Sequence, residues 1–381
     1  MAADPQRPKG SVGATLMAAA ALLTAAAPTL AETAPERASL SLRYLDYLDS
    51  QPDLERIRIR APSVMLSVPV ANTWLIEGSA VADAVSGASP AFHSVARSAS
   101  PITDRREAVD AKLTRYWPWG TLKLGAAYST ESDYVSRALS VQASVSTEDK
   151  NRTLNLGLGV TRDRINPVND RVNDERKATH DVALGLTQVL TPTDLVQLNL
   201  TYASGRGYFS DPYKFLDERP RERDQTALLT RWNHHFVAAE GTVRSSYRYY
   251  SDSWDVKAHT LTLEYVQTLP WGWSLTPLLR LYSQSAARFY VDVNTASPTR
   301  PRLPAGYVSG ETLLSYDQRL SAFGARTFGI KLAKQINNDW LADVKIEDYA
   351  QRSSWHVGGD GSPGLATFQA RMVQLGVTRL F

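Results

Sequence analysis

The strongest constraint on this chain is a period-two alternation of apolar and polar residues that recurs over most of its length. Leu154, Leu156, Leu158 and Val160 alternate with Asn155, Gly157, Gly159 and Thr161, and Val196, Leu198, Leu200 and Tyr202 alternate with Gln197, Asn199, Thr201 and Ala203. Leu122, Leu124, Ala126 and Tyr128 repeat the pattern, as do Leu139, Val141, Ala143 and Val145, and then Leu261, Leu263 and Tyr265. Successive side chains of a strand point to opposite faces, so this spacing predicts strands with one apolar and one polar face. Alternation alone fits both a soluble sandwich and a membrane barrel.

Three further features favour the barrel. Strands are predicted near 39–47, 56–69, 72–84, 105–117, 120–131, 133–147, 151–164, 176–190, 194–207, 223–237, 241–253, 256–268, 273–287, 317–335, 340–353 and 366–381. Connections after even-numbered strands are all tight, and every long one follows an odd-numbered strand, as in outer-membrane barrels with short periplasmic turns and long extracellular loops. Aromatic residues gather at strand ends: Tyr116, Trp117 and Trp119, then Trp271 and Trp273, then Trp340 beside the turns, and Tyr247, Tyr249, Tyr250 and Trp254 toward the other rim. Such residues suit the two membrane interfaces. The chain closes on Phe381, with Val373, Leu375 and Val377 on the same strand face, which resembles the signal read by the barrel-assembly machinery. Arg379 departs from that pattern, and it can snorkel to headgroups. Pro62 makes the second strand the least regular.

The expected fold is therefore all-β, an antiparallel up-and-down transmembrane barrel of about 16 strands. Arg7 and Lys9 precede an apolar stretch from Ala14 to Ala27, and Thr29-Leu30-Ala31 offers small residues for cleavage before Glu32. This reads as a signal peptide over 1–31, with one barrel domain over 32–381 and outer-membrane localisation. Removing the leader leaves 350 residues with a formal net charge of +2. With no cysteine, disulfides, thiolate metal sites, iron-sulfur clusters and a cysteine nucleophile are excluded.

Three segments carry a family resemblance: Glu77-Gly78-Ser79-Ala80-Val81-Ala82-Asp83-Ala84-Val85-Ser86-Gly87-Ala88-Ser89-Pro90, then Ser129-Thr130-Glu131-Ser132-Asp133-Tyr134-Val135-Ser136, then Asn151-Arg152-Thr153. In that order and spacing the chain resembles the bacterial family of unknown function DUF3570, over essentially the whole mature length. Ser132 stands where that family often has Pro. The resemblance implies a secreted, barrel-like outer-membrane protein without an established activity, and genes near those of flavin-transfer and thioredoxin-like redox proteins. Physically, Asp83, Ser86, Gly87 and Pro90 lead a strand into the first long loop, with Gly87 and Pro90 suited to a sharp exit. Glu131, Asp133 and Tyr134 straddle a tight turn that is expected to be solvated, or else to meet a cation or lipid headgroup.

No P-loop, H-E-x-x-H or G-x-S-x-G motif occurs. His234 and His235 point to opposite faces of a strand, so they cannot share one ion. No catalytic residue, metal or cofactor is expected. Taking the polar partner of each alternating pair places Arg43, Lys112, Lys123, Arg231, Arg244, Arg248, Arg280, Lys331 and Lys345 inward, with Glu77, Asp83, Asp110, Glu264, Asp343 and Glu347. A salt-bridged ladder that rigidifies the wall is one reading. A mildly basic, water-filled path that favours anions is the other. Arg244, Arg248 and Arg280 are the candidates for a cationic constriction, with Lys123 and Glu264 on the same lumen face. The charged loop from Tyr208 to Asp224 and the Pro-rich one from Arg288 to Leu314 are long enough to fold inward and narrow or cover a pore.

The function expected from the sequence is a channel or substrate-specific transport barrel for an unknown small solute. The alternative is a non-conducting scaffold docking a periplasmic or surface partner, redox-related if the family context applies. An enzyme in the barrel wall ranks third. Outer-membrane lipid and the assembly machinery are expected partners, and nucleic acid is not.

Overall fold

In a computed structural model the described residues are 33–52, 54–88, 101–214, 216–296 and 302–381; the predicted leader and Pro90 lie outside them. The alternating segments become sixteen strands: β1 Ser39–Gln51, β2 Leu54–Val70, β3 Trp74–Ala88, β4 Pro101–Trp117, β5 Gly120–Thr130, β6 Tyr134–Ser146, β7 Arg152–Ile165, β8 Glu175–Thr191, β9 Asp194–Gly207, β10 Glu222–Phe236, β11 Gly241–Asp252, β12 Lys257–Leu269, β13 Trp273–Gln284, β14 Phe323–Gln335, β15 Trp340–Arg352 and β16 Phe368–Leu380. Each pairs antiparallel with its neighbours in chain order, and β1 closes on β16, with Ser39 opposite Leu380 and Ser50 opposite Gln369. Closure leaves no unpaired edge, the condition for a sheet to cross hydrocarbon.

The alternation sets the two faces. Leu139, Leu154, Leu184 and Leu375 are exposed on the outside, while polar residues of the opposite parity, such as Thr153, Thr187, Gln197 and Thr327, are buried inside. One rim carries the tight turns. Ala71 and Asn72 both have positive φ there, and so do Trp271 and Gly272. On its outer surface cations lie over tryptophans: Arg115 is 4.9 Å from the Trp74 ring, Lys334 5.1 Å from Trp273 and Arg379 5.5 Å from Trp340. Arg379 thus packs on an interfacial aromatic of the adjacent strand. Phe381 extends the outward row of Leu375 and Val377, and its backbone exchanges hydrogen bonds with Ala38.

Several boundaries and orientations differ from the sequence reading. The fourteenth strand starts at Phe323, because residues 317–322 turn inward as a 3₁₀ turn, Gln318–Leu320, and a buried loop end. β3 continues through Ser86 and Gly87, where Gly87 faces Ile57 and Ile102 in register, so the sharp exit is not at Gly87. β2 runs through Pro62, and its pairing with β3 skips from Arg60 to Ser63, since proline has no N–H to donate. Tyr116 has inward parity and packs on Leu75 and Ala34, and Tyr250 also points inward, so neither joins a girdle. Trp254 belongs to a core described next.

Candidate functional site

The rim opposite the tight turns is roofed by loops. The β9–β10 loop (208–221) and the β13–β14 loop (285–322) join through paired backbone hydrogen bonds, Glu218 N–H to Leu314 O at 2.8 Å and Leu314 N–H to Glu218 O at 2.9 Å. Gly207, with φ +128°, makes the turn out of β9; a Cβ there would run into the Arg176 carbonyl. Under the roof Trp254, from the β11–β12 connection, is 1% exposed and packs on Val256, Ala287, Phe289 and Leu320, with Phe209 and Tyr250 against them. Arg223 lies 4.1 Å over the Trp254 ring and pairs with Asp252 at 2.6 Å.

Beside this apolar core is a buried charge network. Asp317 has no exposed surface, and three cations converge on it: Arg319 at 2.5 Å, Arg219 at 2.7 Å and Lys214 at 3.5 Å. Burial alone would raise the Asp317 carboxyl, but Arg319, Lys214 and Arg219 outweigh it and hold the group well below the usual carboxylate range. Asp217 binds Arg219 at 2.8 Å and accepts from the Ser315 hydroxyl, and Asp211 accepts from Arg319 at 3.1 Å. Three aspartates thus balance three cations, which is the condition for burying Asp217, Asp317 and Lys214 at its centre.

The roof is tied to the wall on several sides. Gln51, at the end of β1, donates to Gln318 at 3.2 Å, and Arg319 next to it holds Asp211 on the β9–β10 loop. β1 and β9 are eight strands apart in a ring of sixteen, so these contacts span the mouth from one wall to the opposite one. Tyr213 donates to Asp133 at 2.5 Å, and Asn169 and Arg171 donate to the carbonyls of Pro212 and Lys214. A cavity of about 110 Å³ remains between roof and wall, lined in part by Tyr134, Lys177, Phe209, Tyr213 and Arg319.

In the turn of the second motif Ser132 is exposed, but Asp133 and Tyr134 turn inward instead of being solvated as expected. Asp133 is buried as the acceptor for Tyr213, and Tyr134 faces inward, accepting from Lys177 at 3.4 Å. Glu131 N–H closes the turn on Tyr134 O at 2.8 Å. Asp83 pairs with Arg106 at 2.5 Å inside the wall.

Below the roof the inward cations fall into two groups. Lys123 meets Glu77 at 3.5 Å, Lys331 meets Asp343 at 3.2 Å, Lys345 meets Glu347 at 3.2 Å and Arg43 meets Asp343 at 3.7 Å. That part of the wall is the salt-bridged ladder. Arg244, Arg248 and Arg280 share the inward face of β11 and β13, and among the described residues none of them forms an ion pair. Arg244 stands opposite Glu264 in register, Arg248 opposite Thr260 and Arg280 opposite Thr262 and Thr327; Arg248 also lies 5.1 Å over the Tyr250 ring at the underside of the roof. Arg231 on β10 joins this face, opposite Ser246. Four arginines against Glu264 make β10–β13 a basic wall, and Lys123, on β5, is remote from it. His234 and His235 part as expected, to Asp194 at 2.8 Å and to Thr242 at 3.0 Å.

A closed, sixteen-stranded antiparallel ring with an apolar exterior, a polar interior and interfacial tryptophans is a barrel of the outer-membrane class. The chain belongs to the family described as protein of unknown function (DUF3570), whose model matches residues 12–174 and 169–372. None of the curated proteins matches it in sequence. Among solved structures it is similar to a bacterial polysaccharide outer membrane secretin, at 10% identity and TM-score 0.50 over 90% of this chain and 98% of that one. It is also similar to the siderophore receptor PirA from Pseudomonas aeruginosa, at 12% identity and TM-score 0.44 over 84% of this chain, and it spans 57% of that receptor's length. The outer membrane protein opdK from Pseudomonas aeruginosa matches at 9% identity and TM-score 0.45, over 91% of this chain and 98% of that one. At such identities the likeness is one of fold.

Proposed function

We propose that this protein is an outer-membrane transport barrel that passes a small anionic solute along a basic wall, with the joined loops acting as its gate. The observation that carries the reading is the charge asymmetry of the lumen. Among the described residues, Lys123, Lys331 and Lys345 each meet a carboxylate at ion-pair distance, whereas Arg244, Arg248 and Arg280 do not. Guanidinium groups without an ion-pair partner, lining a water-filled passage with low-dielectric walls, attract anions and repel cations. Export by the predicted leader, assembly through the terminal Phe381 row and extracellular placement of the roofed rim complete the proposal.

The roof supports a second reading, a closed scaffold that docks a periplasmic or surface partner. Conductance of the purified chain in a planar bilayer separates the two. Steady steps with an anion-selective reversal potential support transport. A folded barrel that is silent even after the roof is loosened supports the scaffold.

A further inference from the structure

Among the described residues, three places set two cations directly opposite one another on adjacent strands. Lys331 faces Lys345, and these are drawn off by Asp343 and Glu347. Arg164 faces Arg176, and Asp174 bridges them at 2.6 and 2.8 Å. The third pair, Arg137 on β6 and Arg162 on β7, has no carboxylate in ion-pair contact among the described residues. Asp163, next in sequence to Arg162, has the opposite parity and binds Lys177 inside the wall at 3.1 Å. Like charges directly opposite on a sheet repel, and the neighbouring Arg164 and Arg176 add positive charge whose shared carboxylate, Asp174, is already engaged by them.

Both arginines are exposed on the outer surface, in the same columns as Leu139 and Leu158. They sit three residues inside the strand ends at Tyr134 and Ile165, about 10 Å along the strand from the roofed rim. Arg137 also lies 5.9 Å over the outward ring of Tyr128, an aromatic of the kind that marks the headgroup level. We infer that Arg137 and Arg162 together bind a phosphate group on a lipid of the leaflet at the roofed rim. A phosphate supplies the missing acceptor oxygens to two planar guanidinium forks, and on this outward face it arrives attached to a lipid. The inference rests on the barrel spanning the outer membrane and is independent of what the lumen carries.

The test uses the purified full-length chain in neutral detergent, with diphosphoryl lipid A as the probe, and with its dephosphorylated form and inorganic phosphate beside it. Diphosphoryl lipid A is expected to raise the unfolding temperature, and removing each arginine to weaken binding about fivefold. Arg162→Glu supplies the missing carboxylate within the protein, so it is expected to be more stable than the parent without lipid and to lose the lipid response. Equal stabilisation of the parent and Arg162→Glu by diphosphoryl lipid A overturns the site. An equal response to the dephosphorylated lipid overturns the phosphate assignment, and an equal response to inorganic phosphate overturns the lipid. Arg162→Glu with no gain in lipid-free stability overturns the repulsion from which the inference starts.

Discussion

Arg219 of the β9–β10 loop donates to Asp317 of the β13–β14 loop at 2.7 Å, joining residues 98 positions apart in the chain, with Asp317 fully buried. This bond closes the roof, and its loss is the most direct way to open it. Asp317→Asn keeps the shape and removes the charge, leaving the three cations Arg219, Arg319 and Lys214 against only two carboxylates, Asp217 and Asp211. Removing one partner of such a network costs about 3–5 kcal/mol. Brief proteolysis of the folded barrel is expected to cut within 208–221 or 285–322 in the variant and to spare the parent, with single-channel conductance rising in step.

The protonation of Asp317 gives the roof a defined pH response. Its folded pKa is depressed, so the stability it contributes is complete above the unfolded value of about 3.9 and is lost only as pH falls through the lower, folded value. Lowering the pH from 7 to about 4.5 is expected to leave the cleavage pattern of the loops unchanged, and opening within that interval would contradict the assignment.

Selectivity tests the basic wall. Replacing Arg244 and Arg248 with Glu reverses the charge at two of the three inward arginines of β11 and β13, the third being Arg280. The reversal potential in a salt gradient is expected to move from anion- toward cation-selective. Lys123→Glu, made on the remote and already paired part of the wall, is expected to move it much less.

Trp254→Ala removes the centre of the apolar core beneath the roof. Truncating a buried aromatic costs about 3–5 kcal/mol. That cost is expected to fall on the loops and not on the strand ladder, so the folded barrel band in unheated electrophoresis persists while the roof becomes protease-sensitive.

Gly207→Ala places a Cβ at φ +128° against the Arg176 carbonyl. The exit of the β9–β10 loop is expected to shift, giving a partly opened roof with the charge network chemically intact. A conductance identical to the parent's would mean that the loop tolerates another path out of β9.

Much of this architecture was legible in the sequence because parity is a local property. Leu154 to Val160 declare their faces without reference to the rest of the chain, and the positions of Arg244, Arg248 and Arg280 follow from the same count. The roof was legible only as two loops long enough to fold inward. Asp217 and Asp317 are ordinary loop carboxylates until chain closure brings them together, and neither periodicity nor spacing encodes that meeting. Aromatic placement misled for a related reason: Trp254 and Tyr116 lie beside strand ends, as girdle residues do, but point into the molecule. Asp133 reads as a turn residue for solvent, and only its contact with Tyr213, 80 positions away, makes it an internal acceptor.

The line of contacts from Gln51 through Gln318 and Arg319 to Asp211 runs across the diameter of the ring. An open cylinder of hydrogen-bonded strands flexes most easily by ovalising at its rim, and a strut between opposite walls suppresses that mode. Release of the Asp317 network would then do more than uncover a mouth: it would let the rim change shape, so that a solute meeting the roof is also acting on the cross-section of the passage beneath it.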